Sequence, residues 1–252
     1  MKANIFLLFI IVSMIACDNN STLIELEPEP ELDSCEFYAT GYYNDTVPGK
    51  IPQKYWPCMS TEVLVEAGSY NFPSLYMLMA GCCGLQSGYD LCRNKYDWFV
   101  ELENREDALE YLIAKYKSID TVSYAMNLYP FEWPGYKFYT YNLEVFMAQE
   151  AYLTRATNSQ LMELLNELFI KQNVRNGNRG DYGIEGPSFT MSRIMYFNNY
   201  EPLLDSMEQN FKIKMLVELG SFSISSEEGK DAQTSIFNLT TAFMNELTTE
   251  EE

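Results

Sequence analysis

Carboxylates, guanidiniums and thiols are the groups with which this chain can do chemistry, because it contains no histidine. That absence removes Ser-His-Asp and Cys-His catalysis, His-ligated zinc and the usual neutral-pH proton carrier together. Glu150 stands out among the carboxylates, lying between Phe146, Met147 and Leu153 in a segment that is apolar on two sides. A carboxyl buried there has its pKa raised by desolvation and can act as a general acid. The plainer alternative is a carboxylate paired with an arginine or a helix N-terminus, or turned to the helix edge. Glu62/Glu66, Glu106/Glu110 and Glu163/Glu167 are i,i+4 pairs, each on one helix face. Such pairs can hold a metal, but they more often form solvated faces. The sequence has neither an Asp-x-Asp-x-Asp-Gly calcium loop nor Cys-x-x-Cys zinc spacing, so no metal and no other cofactor is expected.

A second candidate is the long loop from Asn173 to Pro187, with Gly177, Gly180, Gly183 and Gly186. Arg175, Arg179, Asp181 and Glu185 form its charged cluster and make it a candidate binding loop. It lacks the Gly-Lys-Ser/Thr ending and the preceding strand of a phosphate-binding loop, and simple bridging between two helices is the plainer reading. Tyr136, Phe138, Tyr139, Tyr141, Trp56, Trp98 and Trp133 would stack on sugars if exposed; in a helical body, core packing is the expectation.

The elements that position these groups start from an N-terminal address. Lys2 gives a cationic start, Ile5–Met14 an apolar run too short for a permanent span, and Ala16-Cys17 looks like a bacterial lipobox, with Met14 where Leu is commoner. Residues 1–16 therefore read as a signal peptide and Cys17 as the lipidated first residue of the mature chain. Residues 17–34 read as an acidic, Pro-punctuated tether, and 35–252 as a single helical domain. With Cys17 assigned to lipid, Cys35, Cys58, Cys82, Cys83 and Cys92 remain. Adjacent Cys82 and Cys83 do not readily bridge each other, since their Cα atoms lie only about 3.8 Å apart. Cys35–Cys58 and one of Cys82 or Cys83 with Cys92 are plausible bridges; buried, unpaired cysteines are an equal alternative.

From Ser60 onward the period is helical. Ser60 or Thr61 caps a first helix, and Gln86–Val100 makes another, with Tyr89, Cys92, Tyr96 and Phe99 on one face. Asn104 caps a helix to Ile119 with Asp107 at its third position, and 137–155 reads as one central helix. Thr157-x-x-Gln160 is a capping box. Further helices cover about 188–199, 201–220 and 226–247, the last capped by Ser226. One short strand is allowed near 37–43. The fold class is thus all-α, about eight helices in stacked antiparallel pairs behind an irregular N-terminal segment.

Met59-Ser60-Thr61-Glu62-Val63-Leu64-Val65-Glu66, Asn71-Phe72-Pro73 and Leu102-x-x-Arg105-x-Asp107-Ala108 with Leu112 and Tyr116 resemble a group of Bacteroides-type bacterial lipoproteins of no known activity. The likeness runs from about Pro52 to Tyr200. It implies a mostly helical domain in the cell envelope, at the outer membrane or cell surface, and supplies no catalytic residue. Asp45-Thr46-Val47, Asp120-Thr121-Val122 and Asp205-Ser206-Met207 resemble the three-residue O-glycosylation site of those organisms.

Charge narrows the partners. The net charge is −19, and Asp18, Glu25, Glu27, Glu29, Glu31 and Asp33 crowd the tether. An acidic surface repels phosphate backbones, so nucleic acid is not expected, and membrane attachment rests on the lipid at Cys17. The expected function is binding, with an acidic helical face engaging a basic protein partner. The alternatives are a glycan-binding lipoprotein using its aromatic rings and a carboxylate-dependent hydrolase centred on Glu150 or the Gly-rich loop.

Overall fold

The computed structural model describes residues 53–70, 84–119, 133–177, 185–221 and 226–249. The acidic tether, the 37–43 strand segment, Cys17, Cys35, Cys82 and Cys83 lie outside these residues. The described chain is all-α, helix packed on helix, without a strand among the described residues. A 3-10 turn, Gln53–Cys58, precedes α1 (Thr61–Tyr70), α2 (Leu85–Lys95), α3 (Trp98–Asn104) and α4 (Ala108–Ser118). Then come α5 (Trp133–Met147), the single turn α6 (Glu150–Leu153), α7 (Asn158–Gly177) and α8 (Glu185–Phe197), followed by α9 (Glu201–Gln209), α10 (Phe211–Leu219) and α11 (Glu227–Thr249).

Local capping sets many of these boundaries, because the first backbone N–H groups of a helix need an outside acceptor. Ser60 Oγ accepts from Val63 N–H at 3.2 Å, and Ser226 Oγ from Gly229 N–H at 3.1 Å. Thr157 and Gln160 form the reciprocal capping box, at 3.2 and 3.0 Å. The helices outnumber the sequence reading because three expected continuities break, and one expected boundary shifts. Gln86–Val100 splits at Tyr96, whose backbone is extended while its ring is buried. Asn104 closes α3 instead of capping the next helix. Arg105 then turns extended, and Asp107 takes the N-cap position of α4, its carboxylate accepting instead from Thr61 Oγ at 2.7 Å. The 137–155 segment breaks at Ala148–Gln149. The 201–220 segment breaks at Asn210, whose Oδ1 accepts from Lys212 and Ile213 N–H.

At the other end of α10, Gly220 stops the helix in the left-handed region (φ 62°), its N–H returning to Leu216 O at 2.8 Å. A Cβ there would press on the Leu85 side chain that opens α2, so glycine serves both the cap and the contact.

One hydrophobic core runs through the described residues. Its centre is α8, packed against α5, α7, α10 and α11. Residues 140–149, spanning the second half of α5, are all buried, as expected of a helix apolar on more than one side. A cluster of Tyr89, Trp98, Phe99 and Phe146 joins α2, α3 and α5, with ring centroids 4.4–5.7 Å apart. Such tilted and edge-to-face pairs add about 0.5–1.5 kcal/mol each beyond area burial. This cluster is the floor on which the site below is built. Trp56, Trp98 and Tyr141 are therefore core, as the sequence reading expects. The side chains of Trp133, Tyr136, Phe138 and Tyr139 lie outside the description.

Candidate functional site: a charged cleft between α2, α3, α6 and α8

A cleft of about 490 Å³ opens over the aromatic floor, lined by Gln86, Tyr89, Asp90, Arg93, Glu103, Gln149, Glu150, Ala151, Thr154 and Arg193. Helical spacing explains the contribution of α2: 86, 89, 90 and 93 recur at i, i+3, i+4 and i+7 and share one face. Tyr89 turns its ring into the core and its hydroxyl toward the cleft wall, donating to Glu103 at 2.8 Å. Arg93 grips the same carboxylate with both Nε and Nη2 at 2.8–2.9 Å. That bidentate hydrogen bonding raises the Arg93 pKa. Burial first, then the neighbouring Tyr152 and Glu103, holds the Tyr89 phenol well above its usual range, so it remains a donor. Arg155 fixes the far side, donating to Ala151 O and to Glu103 O at 2.6 Å each, which ties the end of α6 to the end of α3.

The opposite wall is different in kind. Arg193 projects from the hub helix α8, with Nε donating to Ala148 O at 3.1 Å. Its guanidinium lies over the rings of Phe197 (4.6 Å) and Phe189 (5.6 Å). Burial lowers its pKa, while Asp90, Tyr196 and Glu150 pull in the other direction. Neither Asp90 nor Glu150 comes within 4.0 Å of an Arg193 nitrogen. Asp90 is held instead by Gln86 Nε2 at 2.8 Å, and the same amide donates to Gln149 Oε1 at 3.0 Å. With both its protons committed, Gln86 leaves its own Oε1 buried without a donor. Tyr152 Oη, buried on the Tyr89–Glu103 side, also lacks a well-placed partner.

Glu150 lines this cleft, and it is exposed. The expectation of a buried acid at 150 is corrected. The break at Ala148–Gln149 ends α5 and starts α6, so the faces counted from a helix continuing to 155 do not carry past 148. The buried acid is Glu144, fully enclosed, six residues earlier. It accepts from Tyr116 Oη at 2.5 Å and lies against Gly186, where any Cβ would overlap its carboxylate. Lys171, also buried, sits over the Tyr116 ring and donates to Glu167 at 2.7 Å and Ile119 O at 3.2 Å.

The other predicted site residues scatter. Arg175 and Glu185 belong to the helical ends of α7 and α8; Arg179 and Asp181 lie outside the described residues. Three of the six paired acids serve lysines: Glu66 binds Lys115, Glu163 binds Lys117 at 2.5 Å, and Glu167 binds Lys171; Glu62, Glu106 and Glu110 are exposed. No metal-binding cluster of His, Cys, Asp or Glu occurs among the described residues. Cys58 is disulfide-bonded, to a partner outside the description. Cys92 is a free thiol inside the core, so of the two readings the buried, unpaired cysteine holds at this position and the bridge to Cys82 or Cys83 does not. Burial pushes its pKa up to about 11. Asp205-Ser206-Met207 lies within α9, where Ser206 Oγ donates to Pro202 O at 2.7 Å. Asp45-Thr46-Val47 and Asp120-Thr121-Val122 lie outside the description.

Sequence reasoning missed Asp90, Arg93, Glu103 and Arg193 as a set. The only local signal was the polar face of α2, which reads equally as a solvated face. No family model, no curated protein and no solved structure matches the chain.

Proposed function

We propose that this is an exported, lipid-anchored envelope protein that works by binding, with the α2–α3–α6–α8 cleft as its ligand site. The observation that carries the reading is the cleft itself: open, polar, and walled by side chains already fixed by hydrogen bonds or ring contacts. Polar groups held in place before a ligand arrives are what recognition of a small polar ligand or a projecting segment requires. The acidic balance of the chain favours a basic partner. Glycan stacking gains no support here, since Tyr89 is the one aromatic in the lining and its ring is buried. Hydrolysis gains little: of the three lining carboxylates, Glu103 is occupied by Arg93 and Tyr89 and Asp90 by Gln86, which leaves Glu150 without a second free acid.

Export and lipidation are supported by the sequence around Cys17. No helix among the described residues is long and apolar enough to cross a membrane. The test uses the full chain, purified in detergent, to capture partners from envelope extract and release them along a salt gradient. A partner released by moderate salt, and lost when Asp90→Asn and Glu150→Gln are introduced together, supports the reading. Equal capture by the double variant rejects the cleft. A Cys17→Ala protein that stays acylated in the membrane rejects the anchor.

A further inference from the structure

We infer that the cleft recognises a zwitterion, taking a carboxylate on Arg193 and an ammonium between Asp90 and Glu150. An α-amino acid or a short peptide carries that pair of groups. The inference rests on the binding reading above and names its ligand class.

Ion pairing elsewhere in the molecule sets the contrast. Acids outnumber bases 36 to 17, and Arg93, Arg105, Lys115, Lys117 and Lys171 each hold a carboxylate. Arg193 is half-buried and holds none, although two carboxylates line the same cleft. A partly desolvated guanidinium without an anion is an unfavourable arrangement unless something else supplies the anion.

Arg193 and Asp90 are each held by other partners, so these two charges do not close on one another. Arg193 is pinned by the Ala148 carbonyl and by two phenyl rings, and Asp90 is pinned by the Gln86 amide. Glu150 lines the same cleft and is exposed. Arg193 Nε is spent on Ala148, so its terminal nitrogens remain as a fork that fits a carboxylate. Three carboxylates and two guanidiniums line the cleft. Once Arg93 and Glu103 neutralise each other, two carboxylates face one guanidinium. A zwitterion with an added cationic side chain therefore fits better than one with an added acid.

Isothermal titration of the full chain in detergent tests this, with free leucine and glycyl-leucine as probes. N-acetyl-glycyl-leucine removes the ammonium, and glycyl-leucine amide removes the carboxylate. Each blocked form is expected to bind at least tenfold more weakly than the dipeptide. Arg193→Gln should abolish the preference for the free carboxylate. Because Arg193 also packs on Phe189 and Phe197, Glu150→Gln is the companion variant: at an exposed position, it leaves the fold intact. It should weaken glycyl-leucine several-fold and leave the acetylated form unchanged. Glycyl-lysine should bind more tightly than glycyl-glutamate. Tighter binding of leucine than of its dipeptide assigns the site to free amino acids, and the reverse assigns it to peptide. Binding indifferent to both blocking groups overturns the ligand class. So does an absence of zwitterion binding in a folded protein whose captured partner still depends on Asp90 and Glu150; that result leaves the binding reading standing.

Discussion

Removing Arg105 should uncouple the entry of the chain from its helical body, and the size of the effect follows from the geometry. Arg105 sits in the extended joint between α3 and α4, with its side chain only 15% exposed. Nη1 donates to Met59 O at 2.8 Å and Nη2 to Trp56 O at 3.0 Å, so one guanidinium closes both carbonyls at the end of the 3-10 turn. Nε holds Glu101 at 3.0 Å. Hydrogen bonds to charged groups contribute about 1.5–3 kcal/mol each. The clamp is partly open to water, so the lower end applies, giving about 3 kcal/mol for the two carbonyls. The i,i+4 pair with Glu101 adds only about 0.3–0.5 kcal/mol. Arg105→Ala should therefore lose about 3 kcal/mol, a large share of the roughly 5–15 kcal/mol that holds a domain together. Arg105→Lys, a point charge able to satisfy one carbonyl, should lose about half as much. Urea unfolding followed by tryptophan fluorescence reads this directly, because Trp56 lies inside the clamped turn. An Arg105→Ala protein within about 1 kcal/mol of the parent would refute the clamp, as would equal losses for Ala and Lys.

Two further outcomes test the interior. Tyr116→Phe keeps the ring beneath Lys171 but removes the hydroxyl that donates to Glu144, and should lower the urea-derived stability by about 1.5–3 kcal/mol at unchanged m-value; an unchanged midpoint would show that the bond contributes nothing. Stability should be level between about pH 6 and 8, since no histidine titrates there. It should then fall on the alkaline side. Cys92 moves from 9.0 to about 11, so the unfolded chain releases its proton first. The stability of the neutral thiol is complete below pH 9 and drains away as pH approaches 11, by at most about 3 kcal/mol. Melting temperatures of the parent and Cys92→Ala across that range test the assignment, the variant showing the shallower decline.

What the sequence made legible was local. Ser60, Ser226 and the Thr157–Gln160 box cap their helices because each needs only residues two or three positions away. The fold class followed from periodicity. Three breaks were hidden, and the boundary near Asn104 displaced, because none has a proline or glycine at its joint. Tyr96 is pulled extended by burial of its own ring, and Arg105 by the distant carbonyls it serves. Gln149 donates its amide to Val145 O as α5 ends, and Asn210 turns its amide oxygen to cap α10. The break at 148–149 is also why the plainer reading of Glu150, turned out at a helix end, holds over the buried acid, and why Glu144 takes the enclosed place. The cleft was illegible for a related reason: Asp90, Glu103, Glu150 and Arg193 lie on four elements, brought together by the packing of α2 on α3 and α5, of α3 on α6, and of α8 on α5 and α6.

That packing bears on how quickly the cleft can work. The residues of α8 from Gly186 to Ser192 are all buried, so Arg193 rises from a helix enclosed by its neighbours, and its guanidinium is braced before any ligand arrives. Little side-chain freedom remains to be lost on capture, and no lid or loop among the lining residues has to form first. Arrival should then be governed by diffusion, orientation and the acidic field of the chain, alike for ligands of the same size and net charge. Ligands would be told apart by how long they stay, with Arg193 acting as a latch on departure and not as a guide to entry.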